Sequence, residues 1–258
     1  MRLNQTYLFL ILFLSAFSFA SPCFSIQKND TLKVLFIGNS YTYVQNLPQV
    51  VSILSDSTKR KLITRKSTVG GAFLSEHWYG KRGLATRELI TKGKYDIVVI
   101  QENSMGAILE PDSTRKYARL LCSVVIASGA KPYIYMTWAR EKVPQYQEEI
   151  ASVFARIAKE NGAVLVPVGK AWELARKLRP TIGLYDADGS HPSGLGAVLS
   201  ACIFTGALTG EIPRKLPGGF SIKDSDGESV QLMNIDSLYA IFIRKVTEQT
   251  LKYYGLLK

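Results

Sequence analysis

Histidine is the scarcest chemical resource in this chain: 258 residues hold two of them, His77 and His191, beside three cysteines. His and Cys ligands at metal spacing are therefore missing, and neither a metal nor a cofactor is expected. The Gly-Lys-Ser/Thr ending of a phosphate loop is absent after the first predicted strand. So is the Gly-x-Ser-x-Gly turn of an α/β-hydrolase nucleophile, because position 42 is Thr. The sequence has no Pro/Ser-rich linker and no internal repeat, which leaves one large domain as the default. It also lacks a helix-turn-helix pattern and any Arg/aromatic nucleic-acid module, so no nucleic-acid partner is expected.

Near the N-terminus the apolar run Tyr7–Phe19 follows Arg2 and precedes the small residues Ala20 and Ser21. That pattern reads as a secretory signal peptide over residues 1–20, too short for a membrane span, with a linker at 21–30 and the folded domain at 31–258. The expectation is a secreted, periplasmic or cell-envelope protein with no stable membrane insertion after cleavage. Acidic residues are outnumbered, 21 against 32 Lys and Arg, for a formal charge of +11. Clusters at 59–61, 65–66, 81–82 and 92–94 make a basic field that attracts anionic partners. Cys122 and Cys202 fall inside apolar helical patterns and read as buried thiols, although export permits a disulfide. Oligomeric state is not encoded in any visible motif.

What is present is a regular alternation of strands and helices. Thr31–Ile37 is apolar and β-branched, and Gly38 stops it with a residue that tolerates positive φ. A helix is predicted over Leu47–Ser57, with Pro48 in its first turn, and a strand over Lys61–Val69 ending in Gly70-Gly71. Next come a helix over Gly83–Thr91 burying Leu84, Leu89 and Ile90, and a continuous apolar strand at Tyr95–Ile100. A helix from Pro111 to Ser128, a strand at 131–138, a helix at 143–161 and a strand at 163–168 follow, then a helix at 171–178. Leu195–Leu208 is so uniformly apolar that it reads as a core helix. Residues 218–234 are turn-rich, suiting a hairpin or ordered loop, and 235–254 forms a last helix packing Leu238, Ile241, Phe242 and Val246. Five strands alternating with helices predict a parallel sheet covered on both faces, a flavodoxin-like three-layer α/β/α sandwich.

In such a sheet, ligands bind at the carboxyl ends of the strands. Three polar blocks fall there: Gly38-Asn39-Ser40, Gly70-Gly71 and Gln101-Glu102-Asn103-Ser104. A fourth, Asp188-Gly189-Ser190-His191-Pro192, can return to the same edge. The three-residue spacing lets the Asp188 carboxylate reach the near nitrogen of His191, fixing the tautomer and freeing the far nitrogen as a base. His77 lacks such a partner, and a structural or substrate-side role is expected of it.

These four blocks in order resemble the SGNH/GDSL-type hydrolases, specifically secreted bacterial branches whose first block reads Gly-Asn-Ser. The resemblance implies a serine nucleophile at Ser40, a general base at His191 and its orienting partner at Asp188. The oxyanion donors it implies are the backbone N–H of Ser40 and of Gly71 and a side-chain amide in the third block. Gln101 lies nearest the strand end and is slightly favoured, while Asn103 keeps the family's asparagine register. Asn39 departs from the usual Gly-Asp-Ser. The implied activity is hydrolysis of small acyl esters, acetyl above all, on an acylated small molecule or polysaccharide. Tyr41, Trp78, Trp138 and Tyr185 lie near predicted strand ends as candidate sugar-stacking residues. The competing expectation is a binding protein that keeps the fold without turnover.

Overall fold

The computed structural model describes residues 31–216, 221–223, 227, 229–231 and 235–257. The expected signal peptide and linker, with Cys23, lie outside the described residues. The chain begins with β1 (Thr31–Gly38), a short helix α1 (Ser40–Tyr43) and α2 (Leu47–Ser55), then β2 (Lys61–Thr68), α3 (Leu74–Tyr79) and α4 (Thr86–Lys92). Next are β3 (Ile97–Ile100), α5 (Gly106–Leu109), α6 (Pro111–Ala127), β4 (Lys131–Tyr135), α7 (Gln147–Glu160), β5 (Val164–Val166) and α8 (Val168–Leu178). The long helix α9 (Gly194–Thr209), a small antiparallel pair β6 (Ser221–Lys223) and β7 (Ser229–Gln231), and α10 (Ser237–Tyr253) complete it.

β1 to β5 form one parallel sheet in the order β2-β1-β3-β4-β5, so every carboxyl end opens on one edge. Alternate residues of β1 enter opposite cores because successive side chains of a strand point to opposite faces. Val34 and Phe36 join the cluster with α2, α8, α9 and α10, whereas Leu35 and Ile37 join the cluster with α6 and α7. Both faces of β1 are thus dry, which is why its sequence is a continuous apolar run rather than an alternating one. α9 lies against α2, α8 and α10, and its residues from Leu195 to Leu208 are all buried.

Several expectations change. Gly38 does not have positive φ; a Cβ there would stand 2.3 Å from Gln101 Oε1 and 2.7 Å from Thr42 Oγ1, so glycine is required by close approach. Leu89, Leu238 and Ile241 are exposed, while α4 and α10 bury the expected Ile90, Phe242 and Val246 together with Ile243. α3 was not anticipated: six residues are too short for a helical repeat to show.

Candidate active site

β1 ends at Gly38, and Asn39 then caps α1, its side-chain oxygen accepting from the N–H of Tyr41 at 3.1 Å. The cap starts the helix immediately and sets Ser40 on its first residue, at the sheet's open edge. The fourth block arrives 151 residues later. The Ser40 hydroxyl faces His191 Nε2 at 2.8 Å, and His191 Nδ1 faces Asp188 Oδ2. A ring nitrogen facing a carboxylate carries the proton, so Nε2 is left as the acceptor for the Ser40 O–H.

The Asp188 carboxylate is fixed in turn. Its other oxygen accepts from the backbone N–H of Ser190 and of His191, each at 2.9 Å. The hydrogen bond from His191, followed by those two N–H groups, lowers its pKa to about 2. The loop holding it is pinned by a hydrogen bond from the Asp186 N–H to the His191 carbonyl and by a bridge between Tyr185 and Pro192.

The third block divides its labour differently from expectation. Gln101 is fully buried, and its side chain has no donor to spare. Oε1 accepts from the Asn39 N–H at 2.9 Å and the Thr42 hydroxyl at 2.8 Å, while Nε2 donates to Asn39 Oδ1 and to the Glu102 carbonyl. Gln101 therefore braces the underside of the Ser40 turn, which corrects its placement among the oxyanion donors. Asn103 remains partly exposed, with Nδ2 donating to the Gly71 carbonyl at 2.9 Å. The backbone N–H groups of Ser40 and Gly71 have no protein acceptor among the described residues. Gly71 sits at φ +68, a conformation that glycine adopts without a Cβ penalty.

Two buried groups hold this edge together: Glu102, given no such place beforehand, and His77, of which a structural or substrate-side role was expected. Glu102 Oε1 accepts from the N–H of Leu74 and of Asn103, and Oε2 accepts from Thr114, so one carboxyl ties the loops after β2 and β3 to α6. Burial raises its pKa to about 7 against those hydrogen bonds, with Glu110 adding like charge. His77 is buried with Nε2 at 3.0 Å from the Gly38 carbonyl and Nδ1 at 2.7 Å from the Thr86 hydroxyl, itself bonded to Ser67. Burial lowers its pKa to about 4, which keeps it a neutral strut under the end of β1. Its missing signal was the partner hydroxyls at 67 and 86, which no local spacing links to residue 77.

The aromatic candidates are mostly structural. Trp138 is 1% exposed, stacked on Trp172 at 3.8 Å and on Tyr41 at 4.6 Å, with Nε1 donating to the Ser190 carbonyl. Both ring faces are covered, so Trp138 has none left for a sugar. Tyr41, 2% exposed, meets the His191 ring edge-on, and its hydroxyl pairs with Ser190 Oγ at 2.8 Å. These two are corrected from substrate contacts to supports of the Ser40 and His191 loops. Trp78 is half-buried on α3, with the Arg87 guanidinium 4.9 Å over its ring. Tyr185 is half-buried, its hydroxyl donating to the Ala139 carbonyl. Arg140 closes the rim, with Nη2 donating to Ser104 Oγ at 3.1 Å.

Neither a protein-family model nor a curated protein matches the chain. Solved structures do. A protein from Slackia heliotrinireducens classed with the SGNH hydrolases matches at 28% identity and TM-score 0.57, over 68% of this chain and 97% of its own. An acetyl xylan esterase, AlAXEase, matches at 14% identity and TM-score 0.56, over 69% and 100%. The fold is that of the SGNH/GDSL hydrolases. A DUF4886 family protein from Bacteroides uniformis matches over a larger share of this chain, 88%, and 97% of its own, at 19% identity and TM-score 0.69.

Proposed function

We propose that this chain is an exported serine esterase that removes small acyl groups, acetyl first among them, from carbohydrates. The observation that carries the reading is the continuous line from Ser40 Oγ through the His191 ring to Asp188, set at the open edge of the sheet. A neutral hydroxyl is a poor nucleophile until a base takes its proton. In this reading Ser40 Oγ attacks the ester carbonyl carbon while His191 Nε2 accepts the hydroxyl proton, and Asp188 stabilises the imidazolium so formed.

Negative charge then gathers on the carbonyl oxygen. The N–H groups of Ser40 and Gly71 are the fixed donors proposed to receive it. Asn103 Nδ2 is the proposed third, turning from the Gly71 carbonyl to the oxyanion. Collapse returns the proton from His191 to the departing alcohol and leaves an acyl-serine. Water, deprotonated by the same imidazole, releases the acid and restores Ser40. No step calls on a metal or cofactor.

Support for an ester substrate comes from the fold shared with esterases, and the carbohydrate reading from the acetyl xylan esterase among the neighbours. Export rests on the residue pattern of positions 1–20. Among the described residues, no helix is long and apolar enough to cross a membrane.

Replacement of Ser40 by Ala tests the central step. Hydrolysis of p-nitrophenyl acetate and acetate release from acetylated glycans should fall by about 10⁴-fold or more with the fold intact. A serine-directed phosphonate should label the native chain at Ser40. Glycan binding without labelling or turnover would instead establish the non-catalytic binding protein.

A further inference from the structure

Beside the catalytic loop lies a cavity of about 290 Å³ in which Ser40 and His191 take no part. Its walls include Pro144, Pro180, Trp172, Tyr185, Arg176 and Lys177. Tyr185 separates it from the catalytic loop, being bridged to Pro192, the neighbour of His191. Trp172 is the far member of the ring stack that runs through Trp138 to Tyr41, the neighbour of Ser40. The cavity and the nucleophile are therefore opposite ends of one stack with ring spacings of 3.8 and 4.6 Å.

The charges on its walls are unbalanced. Glu173 is engaged by Lys170, which also holds Glu148. Arg176 and Lys177, in the last turn of α8, form no ion pair among the described residues. Arg176 has only the Tyr185 ring, 5.1 Å from its guanidinium carbon, and a long contact of 3.4 Å to the Tyr185 hydroxyl. Glu141 is the other carboxylate felt at this wall, acting on Tyr185. Arg176 and Lys177, beside one carboxylate already engaged by Lys170 and walls of Pro144, Pro180, Trp172 and Tyr185, suit a ligand with flat apolar faces and a negative charge.

We propose that this cleft is a distal subsite for a carboxylate-bearing sugar unit of the substrate, gripped by Arg176 and Lys177 while the ester lies at Ser40. The inference rests on the esterase reading and gives its substrate class: an acylated acidic glycan. A guanidinium fork matches a carboxylate in two parallel hydrogen bonds, whereas the Lys177 ammonium acts as a point charge. The aromatic role expected of Tyr185 becomes that of a wall between two subsites.

Acetate release from O-acetylated polygalacturonate, and from the same polymer with its carboxylates methyl-esterified, tests this. The rates are expressed as kcat/KM relative to p-nitrophenyl acetate for each protein. Wild type should favour the free-acid polymer, and Arg176→Gln should reduce that preference by about tenfold, through KM. Lys177→Gln, a change with no hydrogen-bonded partner to disturb, should reduce it in the same direction, and added salt should erode it. Equal use of both polymers by wild type, or a preference that survives both substitutions, overturns the subsite while leaving the esterase standing. A wild-type chain that cleaves no ester and takes no phosphonate at Ser40 overturns the esterase, and the subsite with it.

Discussion

Asparagine at position 39 shows what a single atom does in this site. Its Nδ2 donates to the Ala72 carbonyl at 2.9 Å, and its Oδ1 receives Gln101 Nε2 and the Tyr41 N–H. An aspartate keeps the acceptor and loses the donor, turning a carboxylate oxygen on the Ala72 carbonyl. Asn39→Asp should therefore destabilise the fold by about 1–3 kcal/mol, read as a lower urea midpoint. Glu102 gives the opposite lesson. Its folded pKa, about 7, lies above the ordinary value of 4.5, so the folded state holds its proton more tightly than the unfolded one. The stability it contributes is full below pH 4.5 and is lost as pH rises through about 7. Glu102→Gln keeps an acceptor for Leu74 and Asn103 and offers Thr114 an N–H. The variant's melting temperature should exceed the wild type's at pH 8 and lose that advantage by pH 5. The meeting of Ser40, His191 and Asp188 was legible because each sits in a short block at a strand end or a proline-bounded loop. Gln101, Tyr41 and Trp138 were misread because spacing locates a residue but not the direction of its side chain.

Among the elements, α9 fits closely against the chain that leads to His191. Gly196 lies in its first turns, where a Cβ would stand 2.2 Å from the Leu184 carbonyl and 2.7 Å from the Trp172 ring. Gly196→Ala should cost about 1–3 kcal/mol in chemical denaturation, because the Leu184 backbone leads directly into the loop that carries Asp188 and His191 and has nowhere to retreat. The same substitution should slow ester hydrolysis by disturbing the approach to His191. α9 was legible from its apolarity alone, as were β1 and β3, since burial on every side leaves no polar face to confuse the reading. α4 and α10 were harder. Each has more apolar residues than its buried face needs, and the surplus at Leu89, Leu238 and Ile241 carries no mark of exposure.

At the scale of the whole molecule, the sheet keeps its two cores apart. Cys122 belongs to one and Cys202 to the other, and both are free. A sheet stands between them, so they cannot pair with one another whatever the redox state of the compartment. Burial pushes both thiols up to about 12, which denies them thiolate character at neutral pH. Peptide mapping after treatment with iodoacetamide should find both unmodified in the native protein and both modified after denaturation. The five-stranded parallel sheet was legible from the alternation of elements, whereas the antiparallel β6–β7 pair was one of two open readings of a turn-rich stretch.

The hydroxyl at residue 40 and the imidazole at residue 191 are contributed by opposite ends of the fold. In the proposed mechanism, then, the nucleophile is synthesised well before its base. Under that mechanism, a nascent or prematurely terminated chain lacking the later loop carries a serine no more reactive than any other.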